Sequence, residues 1–278
     1  MKKSKKSFSL LLPVYHGDCP EFVREAFGSI SSQSCLPEQI VIVIDGPVSK
    51  ELDNEIEHFI NVIDSKVTLL RLESNQGLGN ALYEGLRLCS HPLVARMDAD
   101  DIAEKKRFEI QLKYLWQYPE IDAVGSWICE FDSDPSRCER IRSVPQSHEE
   151  IVRFARFRNP MNHMTVMFRK SAVERAGSYR PMPGFEDYDL WIRMIQNGSR
   201  LANIPEVLLR ARTGEEMIER RRGWRYVRQE WHFAKAAYQT GFWSFPLAMR
   251  NAMLRSAIRL LPAGLLGSMY NFLRKKRT

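Results

Sequence analysis

LVARMDADD (93–101) is an apolar strand that runs straight into a cluster of carboxylates. Consecutive apolar side chains without polar alternation describe a strand covered on both faces. The same design stands twice upstream, in SFSLLLPVY (7–15) and in QIVIVIDGP (39–47), which ends at Asp45. A fourth strand, 67–72, leads into Asn75-Gln76-Gly77. Between these strands, 20–34, 51–63 and 77–89 carry helical spacing of apolar residues. Strands alternating with helix-length crossovers predict a parallel sheet of Rossmann-like type. Ligands of such sheets bind outside the carboxyl ends of the strands, and Asp45, Asn75 and Asp98 all fall there.

Beyond the acid cluster, the pattern predicts a helix over 104–118 and a strand near 123–130. A polar stretch to Pro145 follows, then a strand at 165–169 and a short helix ending near Gly177. GFEDYDLWIRMIQNG (184–198) reads as a helix with acids in its first turn and a glycine stop.

The chain has 278 residues, 44% apolar and 27% charged, which fits a folded α/β domain and argues against disorder. Its formal net charge of +7 asks for an anionic partner. Eight Lys and Arg follow Glu230 with no further Asp or Glu, so the excess sits in the tail and the body is close to neutral. The five cysteines lack Cys-x-x-Cys spacing, which speaks against a zinc ribbon or a disulfide framework and for reduced thiols. The lysine-led start imitates a signal peptide, but Pro13, His16 and Asp18 interrupt it, as suits a buried first strand. The uncharged stretch 260–273 is too short to span a bilayer.

Asp98 and Asp100 offer hard oxygen ligands at a strand end, suited to Mg²⁺ or Mn²⁺ bridging to a diphosphate. Asp101 and Glu104 have capping-box spacing and are expected to start the next helix. Asp45 could accept from a ribose hydroxyl or a base N–H, although Asp-Gly after a strand is by itself an ordinary turn. Glu186, Asp187 and Asp189 are ordinary dipole partners at a helix start. Chemistry on an acceptor hydroxyl needs one carboxylate across the cleft, and this trio is the best placed for it.

The ordered set Pro13-Val14-Tyr15, Asp45-Gly46, Asn75-Gln76-Gly77, Asp98-Ala99-Asp100-Asp101 and Glu186-Asp187-Tyr188-Asp189-Leu190-Trp191 resembles family 2 glycosyltransferases with the GT-A fold. The likeness is nearest to bacterial enzymes of O-antigen, capsule and exopolysaccharide synthesis and spans about 7–225. It implies that Pro13, Tyr15, Asp45, Asn75 and Asp98 hold the nucleotide-sugar. Asp100 would bind Mn²⁺ or Mg²⁺ and Asp187 would be the base of an inverting single displacement. The donor implied is a UDP-hexose or UDP-N-acetylhexosamine, the acceptor a saccharide linked to polyprenyl diphosphate. His163, Glu186, Trp191 and Arg221 are candidates for contact with acceptor or diphosphate. One departure stands out: the strand after the Glu-Asp helix, where many GT-A enzymes place a metal-binding His, contains none here between Ile204 and Gly214.

The expected organisation is a GT-A domain over 1–225, with its donor half at about 7–103 and acceptor half at about 104–225. An amphipathic helical tail over 226–278 follows. In that tail Leu254, Ala257, Ile258 and Leu261 share one helical face and Arg255 and Arg259 the other. An apolar stripe with basic flanks suits the inner face of the cell membrane, and a helix packed on the catalytic domain is the alternative. This predicts a cytoplasmic, peripherally attached enzyme. Two rivals stand beside it. A nucleotidyltransferase would want a basic, Gly-rich loop after the first strand, and 13–19 has one glycine and no Lys or Arg. Nucleic-acid binding rests on charge alone and lacks a reading motif, so no nucleic-acid partner is expected.

Overall fold

The computed structural model describes residues 7–213 and 222–261. Four parallel strands form one half of the sheet: β1 (Ser9–Tyr15), β2 (Gln39–Asp45), β3 (Lys66–Arg71) and β4 (Leu93–Arg96). Their order is β3-β2-β1-β4, so the chain winds outward from β1 and then returns to its other side. That reversal between β1 and β4 is the topological switch point at which a crevice opens. The crossovers are α1 (Pro20–Ser31), α2 (Lys50–Val62) and α3 (Leu78–Leu88). Pro20 opens α1 where its missing N–H costs nothing, and Ser49 caps α2 by accepting from Leu52 N–H at 3.2 Å.

The period of two along β1 divides the core. Leu10, Leu12 and Val14 pack toward α1 and α2, while Leu11 packs with Val41 and Val43 toward α3. Helices on both faces explain why these strands read as unbroken apolar runs.

The second half adds β5 (Ile102–Ala103), α4 (Arg107–Gln117), β6 (Ile121–Phe131), β7 (Arg140–Arg142) and α5 (His148–Phe154). A 3₁₀ turn at His163–Thr165 leads into β8 (Met167–Arg169) and α6 (Lys170–Arg175). Then come α7 (Glu186–Gln196) and β9 (Arg200–Arg212). β8 pairs antiparallel with β4 and the sheet continues through β6, β9 and β5, so it is mixed overall.

Three expectations are corrected here. Asp101 and Glu104 do not cap a helix: α4 starts later, behind Lys106, and 102–103 pairs with β9 instead. Asp101 accepts from Arg212 N–H at 3.1 Å and Glu104 binds Arg210 at 2.7 Å, so tertiary partners outcompete the local cap. Cys129 and Cys138, expected as thiols, are joined as a disulfide beside the β6–β7 pairing. A separation of nine residues returns Cys138 to the strand that carries Cys129.

The C-terminal segment is the third. Helices α8 (Gly223–Gln239) and α9 (Phe245–Arg259) do not stand apart as a tail. Phe233, Trp243, Ala248 and Ala252 form one apolar cluster with Phe185, Tyr188 and Ile192 of the α7 region. Arg255 and Arg259, read as the basic flank of the apolar stripe, both turn inward onto Glu230, which is 1% exposed. Leu254 and Met253 are left outside.

Candidate functional site

The switch point gathers the strand-end residues. Tyr15 closes β1, Asp45 closes β2, and Asp98 lies two residues beyond β4. Pro13 is buried within β1 and Tyr15 is partly open. Asp45 accepts from the backbone N–H groups of Gln76 (2.7 Å) and Gly77 (2.9 Å), and Asn75 donates to its carbonyl at 3.3 Å. Asp45 therefore pins the 75–77 loop against β2, and its carboxylate satisfies two backbone N–H groups just ahead of α3, at the positive end of the helix dipole. Gly46 makes that seam possible. Its φ is +87°, and a Cβ would lie 2.5 Å from Asn75 N.

Asp98, Asp100 and Asp101 bring carboxylate oxygens within 4.8 Å of one another. Arg96 braces the first of them, its guanidinium donating from both terminal nitrogens to both oxygens of Asp98. Arg96 is 1% exposed on β4, and Arg107 donates to its carbonyl at 2.5 Å. Burial, with Asp98 adding to it, pushes Asp100 up to about 6; burial and Asp100 push Asp101 well above the usual carboxylate range. The inner oxygen of Asp101 is buried without a hydrogen-bond partner. Crowded, desolvated carboxylates with an orphaned oxygen are the surroundings a hard divalent cation relieves, so these residues fit one. Where a His is common in the fold, β9 presents Arg212. Its guanidinium stacks on Phe22 and Phe131, pairs with Glu25, and reaches the Asp100 carbonyl at 3.4 Å.

A cleft of about 870 Å³ runs from Asp98, at the edge of this acid cluster, to the start of α7, with Glu186, Asp187 and His163 also on its walls. Asp187 accepts from Asn159 and from the backbone N–H of Tyr188. Burial raises its pKa, and the Asn159 donation works against that rise. Burial, with Asp187 adding to it, carries Glu186 to about 7. Asp189 faces the other way, paired with Arg193 at 2.8 Å in the core. His163 meets Tyr179 OH at 3.0 Å, and burial holds it neutral.

Trp191, a candidate for ligand contact, is fully buried beneath His163, with its ring centroid 6.0 Å from the imidazole. Only the first turn of α7 meets the cleft, and a residue one turn deeper becomes its foundation. Arg221 lies outside the described residues, and Arg225 and Arg228 are exposed on α8 away from the cleft walls. The arginines that do line the cleft were not singled out for it from sequence: Arg96, Arg142, Arg158 and Arg250 among them. Arg96 left a trace, as the one charged side chain in an otherwise apolar strand. The others left none, because the strand, loop and helix that carry them approach the site only in the fold.

Comparison with known proteins agrees with this geometry. The family model for glycosyl transferase family 2 matches residues 9–176. The amylovoran biosynthesis glycosyltransferase AmsE of Erwinia amylovora is 39% identical, over 96% of this chain and 99% of that protein. The UDP-Gal:alpha-D-GlcNAc-diphosphoundecaprenol beta-1,3-galactosyltransferase of Escherichia coli is 34% identical over 97% of each chain. Among solved structures, S. aureus TarS (residues 1–349) with UDP-GlcNAc superposes with a TM-score of 0.62 at 17% identity. That match covers 83% of this chain and 66% of TarS. The mannosyltransferase PcManGT of Pyrobaculum calidifontis, with GDP-Man and Mn²⁺, gives 0.61 at 16% identity, over 96% and 80%. The likeness to these two is one of fold, and the fold is GT-A with added C-terminal helices.

Proposed function

The chain belongs to glycosyltransferase family 2, and on that premise we propose that it is a metal-dependent, inverting sugar transferase of bacterial surface-polysaccharide synthesis. The donor in this reading is a UDP-hexose or UDP-N-acetylhexosamine. The acceptor is a saccharide carried on polyprenyl diphosphate, a reading supported by the diphosphoundecaprenol-linked acceptor of the galactosyltransferase relative. One observation carries the reading: Asp98 of the strand-end acid cluster and Asp187 of the α7 start face a single cleft.

In this mechanism Pro13, Tyr15 and the loop held by Asp45 and Asn75 cradle the nucleoside. Asp98, fixed by Arg96, meets the ribose and phosphate region. A cation held by Asp100, when bound, supplies Lewis-acid stabilisation of the negative charge on the leaving diphosphate. Asp187 takes the proton of the acceptor hydroxyl, and Asn159 holds the carboxylate in the orientation that does so. The acceptor oxygen bonds to the anomeric carbon from the face opposite the diphosphate as the bond to the phosphate oxygen breaks. Configuration therefore inverts.

Attachment at the inner face of the membrane is part of the proposal. No helix among the described residues is long and apolar enough to cross a membrane. Trp224, Phe245, Met253, Leu254 and Leu260 are nevertheless exposed on or beside the C-terminal helices, as a peripheral contact needs. The deciding experiment is a screen of nucleotide-sugars with Mn²⁺ and a lipid-diphosphate-linked sugar acceptor, with the anomeric configuration of the product read by NMR. Retention of configuration, or turnover of nucleoside triphosphates in place of nucleotide-sugars, refutes it.

A further inference from the structure

Away from Asp98 and Asp187, the cleft changes character. Its far wall is made by α9 and the 154–159 segment, which are stapled together. Asn251 donates to Arg156 O at 2.8 Å and Arg255 to Phe157 O at 2.6 Å. Arg250 lays its guanidinium 5.0 Å over the Phe157 ring, so Phe157 is flanked by Arg250 in space and by Arg158 in sequence. Most cations of the cleft are answered: Arg96 by Asp98, Arg140 by Glu130, and Arg255 and Arg259 by the shared Glu230. Arg158 and Arg250 are not. Neither meets a carboxylate among the described residues, and Arg250 donates only to Asn251 Oδ1 at 3.2 Å. From Arg250 the cleft-lining face of α9 continues to Leu254 and Ile258 at four-residue steps, about 12 Å of helix in all. Leu254 is 59% and Phe157 49% exposed, an unusual investment of large apolar groups beside unpaired arginines.

From this juxtaposition we propose that Arg158 and Arg250 bind the diphosphate of the acceptor, and that Phe157, Leu254 and Ile258 carry the first prenyl units leading out of the cleft. The inference rests on the lipid-linked acceptor proposed above and assigns it a site. Guanidinium forks match phosphate oxygens, and the apolar stripe begins where the charge ends. Such a site would hold the acceptor sugar between the diphosphate anchor and Asp187, and it would reject the same sugar on a neutral carrier.

The test is calorimetric binding of geranyl diphosphate to the full chain in EDTA, where the acid cluster offers no cation to a diphosphate. Inorganic pyrophosphate and geraniol are the two partial probes. Geranyl diphosphate should bind more tightly than either. Arg158→Gln and Arg250→Gln should each weaken it about tenfold, as loss of a charged hydrogen bond does. Leu254→Ser should weaken geranyl diphosphate and leave pyrophosphate unchanged. All three positions are exposed, and unchanged thermal melting of the variants shows that the fold is intact. If the wild type binds geranyl diphosphate and the arginine variants bind it equally well, the assignment is overturned while the lipid-linked reading stands. If the wild type neither binds it nor transfers to a lipid-diphosphate-linked sugar, both fall. Displacement of geranyl diphosphate by UDP would place it in the donor site and also overturn the assignment.

Discussion

Trp243→Ala tests whether the C-terminal helices belong to the catalytic body. Trp243 is 1% exposed, and its indole donates to Ala155 O at 3.3 Å. It meets Phe233 edge-on at 5.3 Å and Tyr188, the residue after Asp187, at 6.2 Å. A buried indole removes on the order of 200 Å² from water, worth ~5 kcal/mol at ~25 cal/mol per Å². Measured aromatic truncations in cores run at about 3–5 kcal/mol, because the site collapses in part. Taking about 4 kcal/mol and ~2–4 °C per kcal/mol for a chain of this size gives a Tm lower by about 8–16 °C. Trp224→Ala is the control. Trp224 is 75% exposed on the neighbouring helix, so its truncation should change stability by no more than ~0.5 kcal/mol. Differential scanning calorimetry of the two variants reads the difference directly. Equal, small shifts for both would show that α8 and α9 are a detachable appendage and that the shared core with α7 carries no stability. The same reasoning expects truncation before Trp243 to unfold the region around α7 rather than to leave an active enzyme.

Three further outcomes bear on the chemistry. Asp187→Asn should lower kcat by about a hundredfold or more with little change in donor affinity. Asp189→Asn should act through stability instead, since it strips Arg193 of its buried partner, and the reverse assignment of phenotypes sinks the base. Excess EDTA should abolish transfer, and Asp100→Ala should remove metal-dependent nucleotide binding by calorimetry, whereas full activity in EDTA refutes the metal. A base must be ionised to work, and burial holds Asp187 above its ordinary value, so kcat should fall as pH is lowered through that raised pKa. Asn159→Ala removes a donor that favours the carboxylate and should move this acid limb to higher pH, and a limb that stays in place or moves down contradicts the geometry.

How much of this was legible in the residues differs along the chain. The parallel half of the sheet could be read in advance because burial on both faces leaves β1, β2 and β4 apolar between their ends, with Arg96 closing β4. The strand ends could be located too, since Asp45 and Asp98 interrupt those runs. The acid start of α7 showed as a helix beginning. That Asp187 faces the cleft while Asp189 is locked to Arg193 follows from a helix turning about 100° per residue, once the packing of α7 is known.

Other features belong to tertiary structure alone. The spacing of Asp101 and Glu104 is that of a helix cap, yet β9, more than a hundred residues on, supplies better partners. Trp191 closes a motif whose first residues line the cleft, but one turn of helix is enough to carry it beneath the site. The arginines of α9 make the point most clearly. Amphipathic spacing shows that Arg255 and Arg259 share a face and that Leu254 does not, but it cannot say which face meets solvent. Glu230, an isolated buried carboxylate on another helix, draws both arginines inward, because an unpaired charge in the core is costlier than two guanidinium groups desolvated beside it. Leu254 is thereby turned toward the cleft mouth.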